Sequence, residues 1–185
     1  MRRPSASSTA SKSQSARRNN LKILISRFQS IKNLLDENPN MEFVSMDRNN
    51  PDWWKGRTVS KIVPTRHVVD TIDNIKTRIS CQAFNENPDI YGSVMEMYID
   101  EVLSKTTPER VVSGLKRMFP GTEEFCILSS EPNNYRSPKT MFREWFNSSD
   151  YSKKTGIVVD EHHVKNFRQK RKYLRYGTSR SEKQS

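Results

Sequence analysis

The sequence predicts a mainly helical α+β domain, and three observations predict it. Asn87-Pro88, Thr107-Pro108 and Ser137-Pro138 each set a capping side chain before a proline at a first helical position. Apolar residues recur at helical spacing behind each of these steps. Between and before them stand short apolar runs, such as EFCILSS, with the length and composition of strands. The expectation is a single compact domain of about five helices and a few short strands, residues 20–164. Basic tails, residues 1–19 and 165–185, flank it and are expected to be disordered.

The first segment, MRRPSASSTASKSQSARRNN, is Ser-rich and basic and has almost no large apolar group. It buries too little to offset the entropy of ordering it. A helix is expected over 21–35. Asn20 would cap it, Leu21, Leu24, Ile25, Phe28, Ile31 and Leu35 share one stripe, and Asn38-Pro39 ends it. MEFVSM and RTVSKIVP are strand candidates on either side of DRNNPDWWKG, a turn-rich loop that displays Trp53 and Trp54.

Thr65 is expected to cap a helix over 66–80, in which Val68, Ile72, Ile75 and Ile79 form a seam. NENPDIYG breaks the chain after it. The three proline-led helices carry, in turn, Ile90, Val94, Met97, Tyr98 and Val102; then Val111, Val112, Leu115 and Phe119; then Met141, Phe142, Trp145 and Phe146. EFCILSS reads as a buried strand and TGIVVDEHHV as another strand or hairpin arm.

Charge is unevenly placed. Lys and Arg number 32 against 21 acids, a net charge of +11. Residues 1–20 hold Arg2, Arg3, Lys12, Arg17 and Arg18 with no acid, which is +5. Residues 165–185 hold eight cations against Glu182, which is +7, so the body between the arms is close to neutral. A near-neutral module with two cationic arms suits a polyanionic partner.

The richest segment is VKNFRQKRKYLRYG, which threads Phe167, Tyr173 and Tyr176 through Lys165, Arg168, Lys170, Arg171, Lys172 and Arg175. Cations attract phosphates and release counterions, while aromatic rings stack on unpaired bases. These nine residues, with Arg17 and Arg18, are the expected nucleic-acid contacts, RNA before DNA. Trp53 and Trp54 are the expected surface for a membrane or protein partner. Arg2-Arg3-Pro4-Ser5 offers Ser5 to a basophilic kinase, whose phosphate would offset the arm's charge.

Catalytic signatures are not evident. The chain lacks a Gly-x-Ser-x-Gly elbow, a phosphate-cradling glycine loop and a dinucleotide fingerprint. Cys126 lies among apolar residues and reads as a space-filling thiol. The pair His162-His163 has no second ligand pair at a zinc-like spacing, so no metal and no cofactor are expected. Two cysteines, Cys81 and Cys126, make no disulfide framework. No apolar run is long enough to span a bilayer, and the first twenty residues lack a hydrophobic region. The expected location is cytoplasmic or nuclear, with a virion as a further one.

These features point to a non-enzymatic nucleic-acid-binding structural protein that packages RNA and self-assembles. In size and charge layout the chain is similar to the small basic matrix and coat proteins of RNA viruses. That likeness is one of layout and assigns no residue a role. Two other readings fit the same features. One is a membrane-surface matrix or adaptor protein that sets the 21–35 helix and the Trp53-Trp54 loop against anionic lipid. The other is a nuclear regulator whose RQKRK tract meets an import receptor.

Overall fold

Lys22–Arg27 is a strand, β1, where the apolar stripe predicts a helix. The computed structural model describes residues 21–131 and 136–162. In β1, Ile23 and Ile25 enter the larger apolar cluster, while Leu24 and the following Phe28 enter a smaller cluster on the opposite face. A strand buried on both faces reads as an unbroken apolar run, which periodicity cannot tell from a helix. Leu35, the last member of the expected stripe, is 42% exposed. After β1 comes a 3-10 turn, Phe28–Ser30, and then a short helix α1, Ile31–Glu37. Asn20, the expected cap, lies outside the described residues, as do the two arms.

The remaining elements are β2 (Glu42–Ser45), β3 (Arg57–Thr58), α2 (Arg66–Arg78), α3 (Cys81–Glu86), α4 (Pro88–Glu101), α5 (Pro108–Met118), β4 (Glu124–Ser129), α6 (Pro138–Ser148), α7 (Asp150–Thr155) and β5 (Val159–Glu161). The five strands form one sheet in the order β3-β2-β4-β1-β5, and every pairing is parallel. The domain is therefore α/β and not α+β. In register, Arg27 lies opposite Ser129, and Ser26 and Ser45 both lie opposite Leu128.

The expected caps hold at three helices. Thr65 Oγ1 accepts from the Val68 amide (3.2 Å) and donates to Glu101 on α4. Asn87 Oδ1 accepts from Asp89 and Ile90, and Thr107 Oγ1 from Arg110. Ser137 is the exception, since it precedes α6 but makes no side-chain cap bond. Helices α3 and α7 were not expected. Six residues are too few to display a helical period, and the serines that cap them, Ser80 and Ser149, are common in loops as well.

The two faces of the sheet are covered unequally. Helix α1 lies on one face, where Leu34 packs with Leu24, Phe28, Met41, Cys126 and Leu128. Helices α2, α4, α5 and α6 contribute buried residues to the cluster on the other face. The crossover through α1 moves from β1 toward β2, and the crossover through α6 and α7 moves from β4 toward β5. Crossovers that run in opposite directions lie on opposite faces, as a common hand requires. At the carboxyl ends of the neighbouring strands β1 and β4 the chain thus departs to opposite sides. This is the switch point of the sheet.

The expected seam of α2 and the apolar residues of α6 are used inside one molecule. Val68, Ile72, Met141, Phe142 and Phe146 are buried in the larger cluster, with Ile75, Ile79 and Trp145 packed against it.

The last strand is held from both sides. His162 N donates to Ile25 O (2.9 Å), while the Asn147 amide accepts from Val159 N (2.8 Å) and donates to Val159 O (3.0 Å). Asn147 thereby serves β5 as a one-residue substitute for a neighbouring strand. Asn147→Ala should lower stability by about 1–3 kcal/mol, the cost of two lost bonds in a partly buried setting. Urea denaturation and amide exchange at Val159 measure it, and the exchange should rise more than at any β4 amide.

Candidate ligand site at the carboxyl edge of the sheet

Three strands end on a serine or carry one near their end. Ser26, Ser45 and Ser129 lie in ILIS, EFVS and CILS, and all three are buried. Polar groups at this depth need partners. Ser45 Oγ meets the Asn50 side chain and accepts from Asp47 N (3.0 Å), which folds the loop after β2 back on itself. Ser129 Oγ accepts from Glu131 N (3.2 Å), and Asp47 Oδ2 accepts from Ser130 N (2.6 Å), which ties the loop after β4 to the loop after β2.

Alternation along β1, β4 and β5 directs Arg27, Ser129 and Glu161 to the face that α6 covers. In the first turn of α6, Lys139 is fully buried within reach of the charges of Arg27 and Glu161. Its ammonium donates to Glu131 O (3.1 Å). Burial is the main cause that brings Lys139 down to about 8, with Arg27 adding to it and Glu161, Glu131 and Asp47 opposing it. The acids nearby have cations of their own. Glu131 Oε1 pairs with Lys76 (2.9 Å), and Glu161 Oε2 pairs with Arg143 (2.7 Å). Summed over Arg27, Lys76, Lys139, Arg143, Asp47, Glu131 and Glu161, the rim carries one net positive charge.

Among the described residues, the buried side-chain atoms at this edge that make no hydrogen bond include Ser26 Oγ, Arg27 Nε, Ser137 Oγ and Glu161 Oε1. Each unmet group of this kind costs about 1–3 kcal/mol. Between the loops after β2 and β4 opens a cleft of about 160 Å³, lined by Asp47 and Arg48 after β2, Ser129 and Glu131 after β4, Ile72 of α2 and Pro138 of α6. Ligands of open parallel sheets bind outside the carboxyl ends of the strands, the edge on which this cleft opens.

None of these edge residues is among those expected from the sequence to contact a ligand. The available signal is the repeated apolar run closing on serine, which is what a two-face-buried strand with a functional tip looks like. Ser5, Arg17, Arg18, Lys165, Phe167, Arg168, Lys170, Arg171, Lys172, Tyr173, Arg175 and Tyr176 lie outside the described residues. Trp53 and Trp54 are described, and they sit on the α1 face. Trp53 is 59% exposed, while Trp54 is half-buried and packs edge-on against Phe28 with ring centroids 5.2 Å apart. A Cβ at Gly56 would overlap the Trp54 indole, so the loop closes tightly over this ring. The basic helix that a membrane reading needs at 21–35 is a buried strand followed by a short helix. Among the described residues no helix is long and apolar enough to cross a membrane.

Cys126 lies fully buried on the α1 face, where burial pushes its thiol up to about 12, and it packs as a small apolar group. His162 Nε2 lies 3.3 Å from Glu37 Oε2. No protein-family model, curated protein or solved structure matches the chain.

The depressed Lys139 makes a signed prediction. The unfolded chain holds this proton up to the usual lysine range, and the folded chain gives it up near pH 8. Between these values the unfolded state binds more protons, so the contribution of Lys139 to stability rises with pH from about 8 to about 10.5. Measured against Lys139→Met across that window, the wild-type chain should gain about 2–3 kcal/mol. Chemical denaturation at stepped pH reads the difference, and a flat difference would remove the burial argument.

Proposed function

We propose that this chain is a non-enzymatic nucleic-acid-binding protein, with single-stranded RNA as its preferred partner. The observation that carries the reading is the placement of +7 in residues 165–185, interleaved with Phe167, Tyr173 and Tyr176, beside a near-neutral body. Its support in the fold is positional. Strand β5 ends on the carboxyl edge at Glu161, and the basic tract begins within a few residues of it. Arg27 and Lys139 stand on that same edge. A polyanion held by the tract would therefore be brought to a rim of positive charge. Lys139, seated on the Glu131 carbonyl, is read here as a fixed charge rather than as a nucleophile.

Packaging of RNA in a particle goes beyond this and rests on size and charge layout alone. The exposed Trp53 remains the proposed contact for a protein or lipid partner.

Arg168, Lys170, Arg171 and Lys172, changed together to Gln in the full chain, should weaken RNA binding and flatten its salt dependence. At about 0.7 per phosphate contact, four contacts amount to a slope change of about 3 on single-stranded RNA. Fluorescence anisotropy between low and physiological salt measures it, and an unchanged slope would place the contact surface elsewhere. Tyr173→Leu with Tyr176→Leu should cost about 1–3 kcal/mol per stacked base on single strands. The same pair should cost clearly less on duplexes, because their bases are already stacked. Equal losses on both would mean that the rings dock on the protein.

A further inference from the structure

We propose that the cleft between the loops after β2 and β4 is a seat for one unpaired guanine base, with the Asp47 carboxylate reading the donor edge of the base. Pro64, Val69, Ile72 and Pro138 give the cleft its apolar wall. A volume of about 160 Å³ is well below the roughly 300–1,000 Å³ of sites that take drug-sized ligands. The cleft therefore suits a single small ring system, with sugar and phosphate left outside.

The charge of the lining decides what that ring must carry. Among the described residues, three acids, Asp47, Asp73 and Glu131, line the cleft against one cation, Arg48. A phosphate is repelled there, whereas a ligand that donates hydrogen bonds is favoured. The three acids are not equivalent. Lys76 serves both Asp73 (3.6 Å) and Glu131 (2.9 Å). Asp47 forms no ion pair among the described residues, and its Oδ2 accepts from Ser130 N (2.6 Å). That bond fixes the carboxylate between the two loops and leaves Oδ1 for a ligand.

A nucleobase meets both demands, because an apolar face packs on apolar side chains while its edge is read by hydrogen bonds. A metal ion or a polyamine would leave the apolar wall unused. Among the bases, guanine sets two neighbouring donors, its ring N1–H and its 2-amino group, against one carboxylate. Adenine and cytosine offer an amino group beside an acceptor nitrogen, and uracil an N–H between two carbonyls, so each brings an acceptor toward the negative charge. Arg48 is exposed, and its Nε donates to Pro64 O (3.1 Å). This bond takes one guanidinium donor and leaves the others for the phosphate next to the seated base.

A base within an RNA strand rests on the nucleic-acid reading above, whereas free guanosine tests the seat without it. The full chain should be titrated with a short oligouridylate, with versions carrying one central guanine, hypoxanthine or adenine, and separately with guanosine. Guanine should tighten strand binding about tenfold over uracil, the effect of one bidentate contact, and adenine should not. Hypoxanthine lacks the 2-amino group and should lose most of that gain. Asp47→Asn keeps an oxygen for Ser130 N and sets an amide donor against the donor edge of guanine. It should bring the guanine strand down to the affinity of the uracil strand. Thermal unfolding checks the fold of this variant, and the hypoxanthine strand tests the same contact in the wild-type chain.

Equal affinity for the guanine and uracil strands, a hypoxanthine strand that matches guanine, or a guanine preference that survives Asp47→Asn overturns the seat and leaves RNA binding standing. Saturable guanosine binding that Asp47→Asn weakens, with no strand bound, supports the seat and removes the nucleic-acid reading. No binding of any of these ligands overturns both.

Discussion

The pairing of β1 with β4 is the constraint from which the rest of this structure follows. Six consecutive residue pairs, from Lys22 with Glu124 to Arg27 with Ser129, place two apolar strands side by side in the middle of a sheet. Both faces of such a pair must be covered, because its backbone is fully paired and its side chains are apolar in both directions. The larger cluster on one face and the smaller cluster under α1 on the other meet this demand. Ninety-six residues separate Arg27 from Glu124, and all of α1 to α5 lies in that interval. The helices are thus inserted between two strands that must find each other across the chain.

How much of this is legible in the sequence depends on the reach of each signal. Proline with a capping side chain is a local device, and α4, α5 and α6 begin where it places them. The Thr65 cap and the Val68-Ile72 seam are local too, and α2 follows them. β1 is different. Its identity as a strand is decided by β4 and β5, which flank it in space and lie far along the chain. Lys22–Arg27 alone has a pattern that fits either period, and the neighbouring α1 residues extended the false helix. The change from α+β to α/β follows from the same cause, since direction of pairing has no local signature.

The edge site was illegible for a related reason. Ser26, Arg27, Ser129, Ser137, Lys139 and Glu161 come from three strands, a loop and a helix, and no two of the separate segments are close in sequence except those around α6. Only the parallel sheet, by gathering all its carboxyl ends on one side, makes them neighbours. Ser137 illustrates the point. Its sequence context is that of an ordinary helix cap, and what sets it apart is a hydrogen bond that the folded chain does not make. The basic tract, by contrast, was readable at once, because charge density is a property of composition.

The short length of β5 has a mechanical consequence. Three residues and the Asn147 side chain hold it, against six residues in its one neighbour, β1. Opening free energy grows with the number of contacts that must break together, so the edge strand breathes long before β4 does. Its tip carries Glu161, whereas Arg27 and Ser129 stand on the stiff central pair. The rim therefore has one rigid jaw and one compliant jaw. A tug on the chain beyond β5 reaches the compliant jaw first, and the distance between the jaws is the quantity that such a load would change.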